Sequence, residues 1–191
     1  MNSYKGDVAS HGQDRWLKPY YFARAAFSVV WVVAALTAGR HSSSIAAVLL
    51  VGYPVWDAAA NYVDASRNGG LAANPTQAFN VAVSLIVSLA VVLAMAMDMN
   101  RVLYVFGAWA IFSGLLQLAT AIRRWKTSGG QWAMILSGGQ SAVAGAFFIA
   151  QAQTPAPFAI ADIAGYAGFG AFYFLVSAIW LTVSQSRAKA A

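Results

Sequence analysis

Six uninterrupted apolar stretches, each 19–26 residues long, leave this chain few choices of fold. A bilayer core ~30 Å thick is crossed by ~20 apolar residues in an α-helix. Inside lipid every backbone polar group must find its partner within the protein, which only helices and closed barrels achieve. The stretches lie at Tyr20–Gly39, Ile45–Val63, Ala78–Met97, Val102–Ile122, Trp132–Ala150 and Phe158–Val183. None has the ~10-residue alternation of a membrane β-strand. The sequence therefore reads as all-α: a polytopic membrane protein with six transmembrane helices, arranged as three hairpins. Residues 1–19 read as a cytoplasmic or interfacial N-terminal segment, 20–183 as the transmembrane domain and 184–191 as a cytoplasmic tail. Only 9% of the residues are charged, too few to cover a soluble domain of this size and far too few for a disordered chain.

Turn formers punctuate the stretches: Gly39-Arg40-His41-Ser42, Asn68-Gly69-Gly70 with Asn74-Pro75, Met97-Asp98-Met99-Asn100-Arg101, Ser128-Gly129-Gly130, and Gln153-Thr154-Pro155-Ala156-Pro157. Alternating spans put Lys5, Arg15, Lys18, Arg24, Arg67, Arg123, Arg124, Lys126, Arg187 and Lys189 on one side, and Arg40 and Arg101 on the other. Ten cations against two is a strong positive-inside bias. It predicts an inner-membrane protein with both termini cytoplasmic. The Ala-Leu-Thr-Ala-Gly end of the first stretch has the small residues of a cleavage site, but the apolar run before it is span-length, so it is expected to be retained. The mixed aromatic and basic leader Asp14-Arg15-Trp16-Leu17-Lys18-Pro19-Tyr20-Tyr21 reads as an interfacial anchor.

The residues that are missing narrow the chemistry. The chain has no Cys, and its six acidic residues are all Asp. Thiolate metal sites, disulfides and cysteine nucleophiles are excluded. His11 and His41, and the four lysines, lie outside the apolar stretches. That leaves no intramembrane bis-histidine haem site and no buried Schiff-base lysine. No HExxH, P-loop or Ser/His/Asp set is present. No cofactor, metal or catalytic residue is expected, and the net charge of +6 reads as topology rather than nucleic-acid binding.

Polar residues within the stretches carry the remaining information. Tyr53, Asp57, Asn61 and Asp64 share one helical face. Asn80, Ser84 and Ser88 do so in the third stretch. Ser113, Gln117 and Thr120, followed by Arg124, do so in the fourth, and Asp162, Tyr166, Gly170, Tyr173 and Ser177 in the sixth. Polar stripes facing lipid are costly, so these faces should turn inward. Asp57 lies about 12 residues, or ~18 Å, past the outer edge of its span, slightly to the cytoplasmic side of centre. With Arg24, Tyr53, Asn61, Asn80, Ser84, Ser113, Gln117 and, as a cap, Gln140, it outlines a cytoplasm-facing polar crevice and a candidate proton or ligand site. Pro54 removes a helix hydrogen bond three residues before it and can kink the span. Asp57 can relay a proton, or it can pair with Arg24 and hydrogen-bond Asn61. Asp162 reads as a carboxylate favoured at a helix N-terminus.

Small residues recur seven apart in the even-numbered stretches: Gly52 and Ala59, Gly107 and Gly114, Gly170 and Ser177. This supports an internal repeat of close-packed hairpins. The run Phe106-Gly107-Ala108-Trp109-Ala110-Ile111-Phe112-Ser113-Gly114-Leu115-Leu116-Gln117 is followed by the basic Arg123-Arg124-Trp125-Lys126. Then comes Gly130-Gln131-Trp132-Ala133-Met134-Ile135-Leu136-Ser137-Gly138-Gly139. Together these resemble the HdeD-like family of small six-span bacterial membrane proteins. The resemblance covers about a quarter of the chain and implies a role in acid-stress resistance or envelope integrity, with no established biochemical activity and no catalytic residues. Trp56-Asp57 departs from the family pattern, which is apolar there. The alternative is a small proton-coupled transporter or channel working through Asp57. Six spans would favour an oligomer for that task, and the paired Gly/Pro interruptions of inverted repeats are missing. The expected partners are the lipid bilayer and, for an oligomer, a second copy of the chain, with no nucleic acid.

Overall fold

In a computed structural model the backbone is described for residues 2–155 and 158–190, and the side chains for 16–155 and 158–187. The side chains of Lys5, His11, Arg15 and Lys189 lie outside the described residues. Six α-helices follow one another: α1 (Asn2–Ala34), α2 (Ser43–Arg67), α3 (Pro75–Met95), α4 (Met99–Arg124), α5 (Gln131–Gln151) and α6 (Ile160–Ala190). No strand is present among the described residues. All six are long and apolar enough to cross a membrane, so the chain is a multi-pass membrane protein in a lipid environment.

Local chemistry explains where the helices start and stop. The Ser42 hydroxyl caps α2, accepting from the Ile45 N–H at 3.3 Å, and the Asp98 carboxylate caps α4, accepting from the Arg101 N–H at 2.8 Å. Pro75 opens α3, where its missing N–H costs nothing. The Asp162 carboxylate folds back onto the Ala159 N–H at 2.9 Å at the start of α6. Gly130, at φ 73°, adopts the left-handed conformation that turns the basic loop into α5. α1 is continuous through Pro19 and ends in one π-helical turn, Ala35–Gly39, a wide turn seen mostly as single insertions in α-helices. α2 runs through the buried Pro54 without a break in its helical assignment. The leader segment expected at 1–19 is thus helical from Asn2 onward and continuous with the first span.

The helices pair differently from three consecutive hairpins. The most extensive packing joins α4 to α5, α1 to α6 and α2 to α3, while α1 and α2, though consecutive, pack sparsely. Side-chain size accounts for this. Phe27 and Trp56 stack at 4.4 Å between α1 and α2 and hold the backbones apart. Between α4 and α5, Gly107 faces Gly145 and Gly114 faces Gly138, so that backbone meets backbone. Of the three seven-residue small pairs, only Gly107 and Gly114 make this contact. Gly52 has open space around it, and Gly170 meets only the Tyr53 hydroxyl, at 3.9 Å. The bundle therefore consists of an α1/α6 pair set against α2–α5.

Burial divides along the membrane normal. Trp31, Leu50, Val91, Leu103, Phe106 and Ile163 belong to one large apolar cluster in the half of the bundle nearer Arg40 and Arg101. A smaller cluster, with Leu17, Tyr21, Ala121, Met134 and Leu181, lies in the half nearer the basic loops. Val30, Val48, Ile86 and Val143 face outward with most of their surface exposed, as lipid-facing residues should.

Candidate functional site

The polar faces of α2, α3 and α4 converge with α1, α5 and α6 on one cavity of about 90 Å³. Arg24, Tyr53, Asp57, Asn61, Asn80, Ser113, Gln117 and Gln140 all line it, and Ser84 is fully buried just behind Asp57.

Asp57 is the most heavily engaged of these residues. Arg24 Nη2 on α1 pairs with its Oδ1. Its Oδ2 accepts from Asn61 Nδ2 at 3.2 Å, Asn80 Nδ2 at 3.2 Å and Ser84 Oγ at 3.0 Å. Ser84 in turn accepts from the Trp109 indole N–H at 3.0 Å. Arg24 also donates to the Tyr20 hydroxyl at 3.0 Å and lies over the Phe174 ring at 4.5 Å. Tyr53 approaches Ser28 at 3.4 Å rather than Asp57. Gln117 donates to the Met134 carbonyl at 3.2 Å. Ser113, Gln117 and Gln140 form the far wall and make no hydrogen bond to Asp57.

One heptad further along α2 the arrangement is repeated at Asp64. Arg124 Nη2 on α4 pairs with its Oδ2 at 2.8 Å. Gln77 Nε2 donates to the same oxygen at 3.1 Å, while Asn68 Nδ2 at 3.0 Å and the Trp16 indole at 3.4 Å reach Oδ1. The two carboxylates are thus served alike. Each has an arginine from a neighbouring helix, a carboxamide from α3, and the Asn four residues on, which also bonds the Asp carbonyl (2.9 Å from Asn61, 2.7 Å from Asn68). The sequence signal is a doubled Asp-x-x-x-Asn on one helical face, Asp57/Asn61 and Asp64/Asn68. Asp64, Arg124 and Gln77 line the same cavity but were not grouped with the site from the sequence. Asp64 and Arg124 stood in its polar stripes, and Gln77 extends the Asn80/Ser84 stripe by one turn.

Such pairs survive in a low-dielectric interior only when geometry and extra hydrogen bonds offset the loss of hydration, and here both carboxylates have four donors. The polar lining runs on to the basic end of the cavity. Asp64, Gln77, Arg124 and Gln131 are all buried at its basic end. Gln131 closes onto the Tyr21 hydroxyl at 3.3 Å. This end carries a hydrogen-bonded layer of long side chains.

Residues 79–150, from the second turn of α3 to the end of α5, match the family model of a short repeat of unknown function (DUF308), a family that includes HdeD-like membrane proteins. The matched segment contains Asn80, Ser84, Ser113, Gln117 and Gln140 and all four glycines of the α4–α5 contact, while both aspartates lie before it. No curated protein and no solved structure matches the chain.

Proposed function

We propose that this chain is a non-enzymatic inner-membrane protein of the HdeD type, serving acid-stress tolerance or envelope integrity, with both termini in the cytoplasm. The observation that carries this reading is the repeat match across 79–150. It covers the same Phe106–Gln117 and Gly130–Gly139 runs that resemble that family. The paired state of Asp57 and Asp64 supports a structural interior over a proton path, since each carboxylate is already committed to an arginine. The apolar cluster around Leu103 and Phe106 supports it further, because it fills the bundle between the cavity and the opposite membrane face. Removing the gene should lower survival in strongly acidic medium, and the wild-type chain should restore it. Unchanged survival on removal defeats the reading.

Two further outcomes are expected. Proteoliposomes carrying the wild-type protein under a pH gradient should show no more proton flux than protein-free vesicles. Flux that disappears in a folded Asp57→Asn variant would promote the proton-coupled transporter instead. The ten-to-two distribution of cations predicts that a reporter active only in the cytoplasm gives signal when fused after Arg187 and none when fused after Arg40. The reverse pattern would invert the whole arrangement.

A further inference from the structure

We infer that the central cavity is a binding site for a small uncharged solute rich in hydrogen-bonding groups, of about the size of acetamide or urea. This goes beyond the proposed physiological role and does not depend on it.

Size and polarity come first. Empty cavities in proteins are apolar, whereas polar ones hold water or a ligand. A volume of about 90 Å³ corresponds to roughly three waters at the ~30 Å³ each occupies in the liquid. It is smaller than the ~150 Å³ cavity that accepts benzene, so about four non-hydrogen atoms fit.

Charge comes second. The four ionic groups at the site, Arg24, Asp57, Asp64 and Arg124, sum to zero and are paired two by two. An incoming cation would have to take Asp57 from Arg24, and an anion would have to take Arg24 from Asp57. Either exchange strands a buried charge. A neutral solute disturbs neither pair.

Unused hydrogen-bonding capacity comes third. On α5, Ser137 and Gln140 are one turn apart and both line the cavity. Neither has a hydrogen-bond partner among the described residues, although Ser137 is only 7% exposed. Across the cavity, Asn80 gives its amino group to Asp57 and leaves its carbonyl oxygen without a partner. Buried polar groups are normally satisfied. The site therefore offers both donors and acceptors to a molecule that has both, such as a primary amide.

Access follows from the packing. The cavity is blind towards the Arg40 and Arg101 side, where the large apolar cluster fills the bundle. Tyr20, Arg24 and Trp56 line both this cavity and an apolar groove of about 330 Å³ between α1 and α2. The α1/α6 pair is tied to the other helices around the cavity by side-chain hydrogen bonds, among them Ser141 to Tyr166 at 2.7 Å and Gln131 to Tyr21 at 3.3 Å. The site is thus a pocket that is entered and left by the same route, not a pore.

Acetamide, acetate and acetamidinium share one shape and carry zero, negative and positive charge. Saturation-transfer NMR on the full chain in nanodiscs, with empty nanodiscs subtracted, compares them directly. Acetamide should receive saturation from the protein, with at least a threefold smaller signal from acetate and acetamidinium. The acetamide signal should fall at least threefold in Gln140→Leu and in Ser137→Val, the second variant serving if the first fails to fold. No protein-dependent acetamide signal, equal signals across the three probes, preference for either charged one, or an acetamide signal unchanged in a folded variant each overturns the assignment.

Discussion

Arg24→Met should cost on the order of 3–5 kcal/mol of stability, because it leaves the Asp57 carboxylate buried without its counter-ion. Asp57→Asn should be nearly as damaging, stranding the guanidinium between the Tyr20 hydroxyl and the Phe174 ring. The pair is desolvated on both sides, with 14% and 8% of the side-chain surfaces exposed, so little water is available to replace the lost partner. The double variant removes both charges. Its carboxamide at position 57 can still accept from Asn61, Asn80 and Ser84. It should return to within about 1–2 kcal/mol of the wild type, since uncharged replacements of buried pairs are often close to neutral. Unfolding of the four proteins in one detergent, by heat or by SDS titration, measures the coupling. Additive losses would mean that the two groups do not interact, and the buried ion pair would have to be given up. The same cycle at Asp64 and Arg124 should have the same sign and at least the same size, because that pair is more buried, with 7% and 3% of the side-chain surfaces exposed. Asp64 lies one turn before the end of α2 and Arg124 is the last residue of α4, so this pair also ties two helix ends together.

The sequence exposed the spans because lipid imposes length and apolarity on every one of them, and the helices match the expected stretches to within about five residues, except that α1 begins at Asn2 and α6 runs on to Ala190. It exposed the polar faces for a related reason: a stripe at 3.6-residue spacing has only one place to go in a membrane. Asp57, Asn61, Asn80 and Ser84 could be grouped on that ground alone. Pairing of the helices was not legible. The seven-residue spacing of Gly52 and Ala59 is the same pattern as Gly107 and Gly114, yet only the second pair has glycines opposite it on the next helix. Spacing within one helix does not say what faces it. The buried polar layer at the basic end was hidden for a similar reason. Arg124 and Gln131 stand where a positively charged loop is expected, and only the three-dimensional register turns Arg124 inward to Asp64 while Lys126 stays outside. Ser137, Gln140 and Ser141 share one face of α5, but only Gln140 stood out in the sequence, because serine among glycine and alanine reads as a packing residue.

The glycines of α4 and α5 give a test in which the sign of the effect is the result. In the interior of a helix, Gly→Ala ordinarily stabilises by about 0.5–1 kcal/mol, because alanine loses less backbone entropy on folding. Gly52→Ala and Gly139→Ala should behave that way, since a Cβ at either position has nothing within 4 Å. Gly114→Ala should do the opposite. Its Cβ would come within 2.6 Å of the Gly138 carbonyl oxygen and 2.9 Å of the Ala142 nitrogen. Both are backbone atoms that cannot rotate away, so α4 and α5 must separate. Overpacking of a fitted interface costs about 1–3 kcal/mol, and in a bilayer no hydrophobic drive recloses helices that have lost their fit. Gly138→Ala meets the Gly114 carbonyl oxygen at 2.7 Å and should cost as much. Combining the two should cost less than their sum, because one separation of the helices relieves both clashes. The adjacent glycines 138 and 139 make the sharpest comparison, having the same composition, helix and depth but opposite expected signs. Thermal unfolding in detergent distinguishes them. Stabilisation by Gly114→Ala and Gly138→Ala would mean that α4 and α5 do not meet backbone to backbone. The wall of the cavity that carries Ser137 and Gln140 would then have to move with them.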